Sequence, residues 1–177
     1  MVIVFETFIR EPNQIKDENL LFFIGQYYKK EKRSIMAKHK AVVKQIQGIT
    51  FIGKTESNHW VPMDGPETFG GSNAGIRPKE LLLISLAGCT GADVAAILQK
   101  KRVDLDGFEI NISAESTETH PKVYTKIHLE FVFYGSDIKE KDVMRAIELS
   151  QTVYCGVTAM LQKSIEITYS HRIEKRK

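Results

Sequence analysis

The segment Leu81 to Leu98, LLLISLAGCTGADVAAIL, is apolar on nearly every face. A helix of that kind must be covered on all sides. Its length approaches the roughly 20 residues that cross a bilayer. Ser85, Thr90 and Asp93 interrupt it, however, and Gly and Ala stand where lipid favours bulky side chains. The segment therefore reads as the buried central helix of a globular domain. One small sheet cannot enclose such a helix, so a second copy of the chain is the simplest cover.

The 177 residues suffice for one domain with a substantial core and an appendage. The formal net charge of +3 is too small to argue for nucleic acid or an acidic membrane as partner. Basic residues cluster at Lys29 to Arg33 and at Lys175 to Lys177, and both clusters read as solvated ends. The N-terminus lacks the basic start, apolar core and cleavage site of a secretory signal, and a cytoplasmic location is expected.

Residues 1–35 follow a pattern of their own. Asp17 caps a helix through Leu20, Leu21, Phe23, Ile24 and Tyr27, which ends in Lys29, Lys30, Lys32 and Arg33. A fresh pattern begins at Met36, so 1–35 is either a helical extension or lies upstream of the true start. The domain proper is 36–177. Two short strands are expected between 39 and 54, turning at Gly48, and a long loop over 55–76. Pro78 opens the central helix, which continues to about Lys101. Strands follow at Phe108–Ser116 and Val123–Tyr134, then helices at Lys139–Val153 and Cys155–Gln162, and a last strand through Ile165, Ile167 and Tyr169. That order is α+β, with antiparallel hairpins packed on helices.

Cys89 and Cys155 are the only cysteines, and small residues flank both. A thiolate is the reactive form, so a reactive cysteine needs access and a lowered pKa. Cys89 sits mid-helix, too far from the helix N-terminus to be activated by it, and needs an Arg, Lys or His from elsewhere. Read alone, it is more often an inert core residue. Gly88 and Gly91 argue for close approach, because glycine inside a helix costs about 1 kcal/mol. Cys155 stands at a break between helical patterns, where a helix N-terminus favours thiolate; the alternative is a simple buried thiol. Glu80 occupies the third helical position after Pro78, where a carboxylate caps free N–H groups. It lies about 13 Å along the helix from Cys89 and on the opposite side, so it could serve only a partner's thiol. Asp93 shares a face with Cys89 and either pairs with a cation or accepts a local hydrogen bond. His39, His59, His120, His128 and His171 show no metal-ligand spacing and CxxC is absent, so no metal is expected. No nucleotide fingerprint is present.

Arg77-Pro78-Lys79-Glu80-Leu81-Leu82, then Leu86-Ala87-Gly88-Cys89-Thr90-Gly91 with Asp93-Val94, then Leu149-Ser150 and Tyr154-Cys155, resembles the OsmC/Ohr family of osmotically inducible and organic-hydroperoxide-resistance proteins. The resemblance covers about residues 38–173 and is nearest to an OsmC-like branch with Gly-Cys-Thr-Gly. It implies antiparallel sheets packed around long central helices in an intertwined homodimer, with sites at the subunit interface. It implies a thiol-dependent peroxidase of organic or small hydroperoxides. Cys89 would attack the peroxide and become a sulfenic acid, Cys155 would resolve it to a disulfide, and a dithiol reductant would reset the pair, without cofactor. Arg77 and Glu80 would complete the site. The family's peroxidases carry Glu directly after the helix-opening Pro; here Lys79 holds that place. They carry an Arg in the first hairpin; here Lys44 and Lys54 are the hairpin cations, with Arg77 as a further substitute. Gly156 stands where many members have Pro. These departures support a second reading, a small-molecule-binding or redox-sensing dimer without turnover.

Overall fold

A computed structural model describes residues 37–175; the expected helix at the N-terminus lies outside the described residues. Three strands, β1 (Ala41–Gln47), β2 (Thr50–Thr55) and β3 (Trp60–Met63), form one sheet in the order β1-β2-β3. Gly48 turns the first two at φ 53°, a left-handed conformation that glycine adopts without steric cost. β3 lies inside what the sequence suggests is continuous loop. It pairs antiparallel with β2, Phe51 opposite Met63 and Lys54 opposite Trp60. A four-residue strand is too short to show alternation, and its Pro62 reads as a breaker. Proline is tolerated there because β3 is an edge strand.

The rest of the expected loop is organised by Asp64, which is buried. Its carboxylate accepts hydrogen bonds from the backbone N–H groups of Gly65, Ser72 and Ala74 and from the Ser72 hydroxyl. These donors, led by the Ala74 N–H, hold its pKa far below the usual carboxylate range despite burial. The loop also packs tightly backbone to backbone. A Cβ on Gly75 would stand 2.8 Å from the Pro62 carbonyl.

The chain then enters α1 (Glu80–Lys100). The N–H groups of Glu80 and Leu81 bond the Arg77 carbonyl, while Glu80 Oε2 accepts the Arg77 N–H at 3.1 Å. This is the return half of a capping box, as the position of Glu80 after Pro78 predicts. Leu86, Thr90, Val94 and Leu98, each four residues from the next, form one fully buried stripe. The stripe rests on the inner faces of β4 (Gly107–Ser116) and β5 (Tyr124–Tyr134) and on α2 (Glu140–Leu149). The expected alternation holds. Ile127, Leu129, Phe131 and Phe133 of β5 point inward and are fully buried, opposite Ala114, Ile112, Ile110 and Phe108 of β4. The Phe108 and Phe133 rings stack at 4.7 Å. Each such large apolar side chain contributes about 1.5–3 kcal/mol on burial.

β6 (Glu166–Glu174) joins β5 in parallel, Ile127 facing Ile167 and Phe133 facing Ile173, so the second sheet is mixed where hairpins alone are expected. The helical connection between them is long enough for a crossover, which a parallel pair requires. α2 does not run on to Val153 as a regular helix. Ser150–Tyr154 is a π-turn, closed by the Cys155 N–H on the Ser150 carbonyl at 2.9 Å. The short helix α3 (Gly156–Leu161) then starts with Cys155 as its N-cap.

Among the described residues α1 is covered on a single side. It is long and apolar enough to cross a membrane, yet only 22% of its most apolar window is buried. Leu82 and Ile84 are half exposed, and all of β1 is exposed, Val43 and Ile46 included. The described chain therefore presents large apolar surfaces on α1 and on the first sheet.

Candidate functional site

α1, the π-turn and α3 each bring polar groups into this part of the core. Thr90, Ser150, Gln151 and Thr158 are all buried beside the two cysteines. Four residues separate Cys89 from Asp93, which places both on one face of α1. The π-turn ends at Cys155, the N-cap of α3, whose sulfur meets that face. The Sγ atoms of Cys89 and Cys155 and a carboxylate oxygen of Asp93 all lie within 4.8 Å of one another. Cys155 is 3% exposed, whereas Cys89 and Asp93 are partly open. Both cysteines are free thiols.

The Cys155 sulfur accepts hydrogen bonds from the Thr90 hydroxyl and the Thr158 N–H, each at 3.4 Å. A chain of bonds aims that hydroxyl. Thr158 Oγ1 donates to Gln151 Oε1, and Gln151 Nε2 donates to Thr90 Oγ1 at 3.3 Å, leaving the Thr90 proton for the sulfur. Burial works against the Cys155 thiolate, but the donors from Thr158 and Thr90, with Cys89, outweigh it and draw the thiol below its ordinary value. The expected helix-terminus effect on Cys155 takes this form, hydrogen bonds at the start of α3. Cys89 moves the other way. Burial pushes it up, the neighbouring Cys155 and the Asp93 carboxylate add to the rise, and the Val157 N–H offsets part of it. Asp93 accepts the Ser150 hydroxyl on Oδ2 at 3.0 Å, a hydrogen bond from a residue distant in sequence.

Arg77 and Glu80 stand apart from this group at the start of α1. The Arg77 guanidinium donates to the Gly75 carbonyl at 3.3 Å, and Glu80 caps the helix. Lys79, in the place of the family's Glu, donates to the Lys122 carbonyl at 3.1 Å and lies over the Tyr124 ring. Thr90, Gln151 and Thr158 join the site only in the folded chain and are not among the candidates the sequence offers. The available signal was their polarity at positions that face a core, which burial alone makes costly without partners.

The family model for OsmC-like proteins matches residues 70–170, a span that contains α1, both cysteines and Asp93. Protein YhfA of Escherichia coli strain K12 is 38% identical over 137 residues, covering 76% of this chain and 97% of that protein. The chain belongs to the OsmC-like family. Among solved structures, a hypothetical protein from Aquifex aeolicus is 30% identical and superposes with a TM-score of 0.70 over 80% of this chain and all of its own length. An organic hydroperoxide resistance protein from Elizabethkingia anophelis shares the OsmC-like fold at 14% identity and a TM-score of 0.59, over 78% of this chain and 99% of its own. The α+β architecture of the OsmC/Ohr proteins, with two nearby cysteines, is thus present here.

Proposed function

We propose that this OsmC-like protein is a homodimeric, thiol-dependent peroxidase of organic or small hydroperoxides. The supporting observation is the pairing of an accessible thiol, Cys89, with a buried thiol, Cys155, within 4.8 Å. The accessible sulfur meets substrate, and the buried one is held within a short reach to resolve the product.

The pair holds one proton, which the opposed shifts place on Cys89, so reaction passes through the less populated form in which that proton has moved to Cys155. Cys89 as thiolate attacks the terminal oxygen of ROOH; the O–O bond breaks and the alkoxide leaves. Cys155 gives its proton to that alkoxide, yielding ROH and a Cys89 sulfenic acid. The Cys155 thiolate, held by Thr90 and Thr158, attacks the Cys89 sulfur and expels hydroxide as the disulfide forms. A dithiol reductant returns the pair by exchange. Such a reductant fits the cytoplasm.

The exposed apolar faces of α1 and of the first sheet support the dimer. Gly88, with nothing within 4 Å of a built Cβ, leaves room for close approach of a second copy. In that dimer Arg77 and Glu80 serve the thiols of the other subunit. The second reading, a redox-sensing or ligand-binding dimer without turnover, draws on the raised Cys89 thiol. Kinetics separate the two. Peroxidase action requires catalytic consumption of a hydroperoxide with a dithiol, abolished by Cys89→Ser. Consumption that persists in Cys89→Ser, or none in the wild type, rejects it.

A further inference from the structure

We propose that the reduced protein binds a thiophilic divalent cation of the zinc class through Cys89, Asp93 and Cys155. Among the described residues this is the group of Cys, Asp, Glu or His whose donor atoms converge, all within 4.8 Å. Tetrahedral zinc holds thiolates at about 2.3 Å and carboxylate oxygens at about 2.0–2.2 Å, which sets its donors roughly 3.5–4 Å apart. Side-chain shifts of about 1 Å or less close the present group onto an ion.

These three donors do not follow any short metal-ligand spacing in the sequence. Two donors come from one helix face, at i and i+4, and the third arrives from the N-cap of α3 sixty-six residues further on. The groups behind the donors are also in place. Ser150 donates to Asp93 Oδ2 and orients a carboxylate that still has acceptor positions for the ion. Thr90 and the Thr158 N–H hold the Cys155 sulfur. Such outer hydrogen bonds orient ligands and tune affinity. Two sulfurs with one carboxylate select zinc, cobalt or cadmium over magnesium and calcium. Cys89 and Asp93 are partly open, so the fourth position falls to water. Both thiols are engaged in the bound form, and the ion and a hydroperoxide therefore compete for the reduced site. The inference needs the geometry of the three donors and not peroxide turnover.

The test is titration of the full-length reduced protein with Co²⁺, read by the visible and sulfur-to-metal bands of tetrahedral cobalt thiolate. One equivalent per chain is expected, displaced by Zn²⁺ and unaffected by excess Mg²⁺. Wild type with both thiols capped by methylthio groups should give no band, which avoids reliance on a variant's folding. Ser150→Ala should weaken binding about tenfold or more, and Asp93→Asn more than that. Absence of the band in reduced wild type overturns the proposal. So does a band that survives thiol capping or is unchanged in Asp93→Asn. A chain that binds Co²⁺ but consumes no hydroperoxide keeps the metal site and rejects the peroxidase reading; the reverse result rejects the metal site alone.

Discussion

Replacing Thr90 by valine removes one hydroxyl from the site at nearly constant volume. The hydroxyl donates to the Cys155 sulfur at 3.4 Å and accepts from Gln151 Nε2 at 3.3 Å. A hydrogen bond to a charged group contributes about 1.5–3 kcal/mol. Thr158 and Cys89 also stabilise this thiolate, so the low end applies. At 1.36 kcal/mol per unit, the thiol pair should titrate about one unit higher. At neutral pH that means about tenfold less thiolate. Nucleophilicity rises with basicity at a Brønsted slope of about 0.4–0.5, which returns about threefold. The alkylation rate at Cys155, resolved from that at Cys89 by peptide mass in reduced, chelator-treated Thr90→Val, should therefore fall about threefold at neutral pH. It should exceed wild type about threefold once pH passes the shifted pKa, and the two profiles should cross. Thr90→Ser keeps the hydroxyl and should follow wild type. A folded Thr90→Val protein with an unshifted profile would refute the assignment of this bond to thiolate stabilisation.

Gly88→Ala gains about 1 kcal/mol of helix propensity in an isolated chain, worth about 2–4 °C in Tm at this size. If a second copy covers this face, the added methyl should instead weaken the dimer by sedimentation; an intact dimer with raised Tm would argue against that interface. The two thiols shift oppositely, and stability should follow. Cys155, drawn down in the folded state by its hydrogen bonds against burial, is deprotonated earlier than in the unfolded chain, so stability rises with pH just below the ordinary thiol value of about 8.5. Cys89, raised chiefly by burial, keeps its proton longer than in the unfolded chain, so stability falls above that value. Urea midpoints across pH should show that maximum in reduced protein, with the alkaline fall reduced in Cys89→Ser; a monotonic profile would contradict the opposed shifts.

The central helix, the strands β4 and β5 and the capping role of Glu80 were legible in the sequence because each rests on local periodicity or on a fixed offset from Pro78. β6 was legible as a strand, but its parallel pairing was not, since partner choice is a tertiary property. β3 was hidden by its length and its proline. At the site, the cysteines stood out by residue type and by family resemblance. The ring of Thr90, Gln151 and Thr158 did not, because its members come from α1, the π-turn and α3, and only the folded chain brings them to one sulfur. The π-turn is hidden in the sequence, because it follows the apolar spacing of Val143, Ala146 and Ile147 without disturbing it.

The most direct measurement is the intact mass of reduced protein after one equivalent of an organic hydroperoxide, with Cys155→Ser alongside. Loss of two hydrogens in wild type and gain of one oxygen in the variant is the outcome expected of a Cys89 sulfenic acid resolved by Cys155. Unchanged masses in both, with thiols still titratable, would contradict peroxide chemistry at this pair.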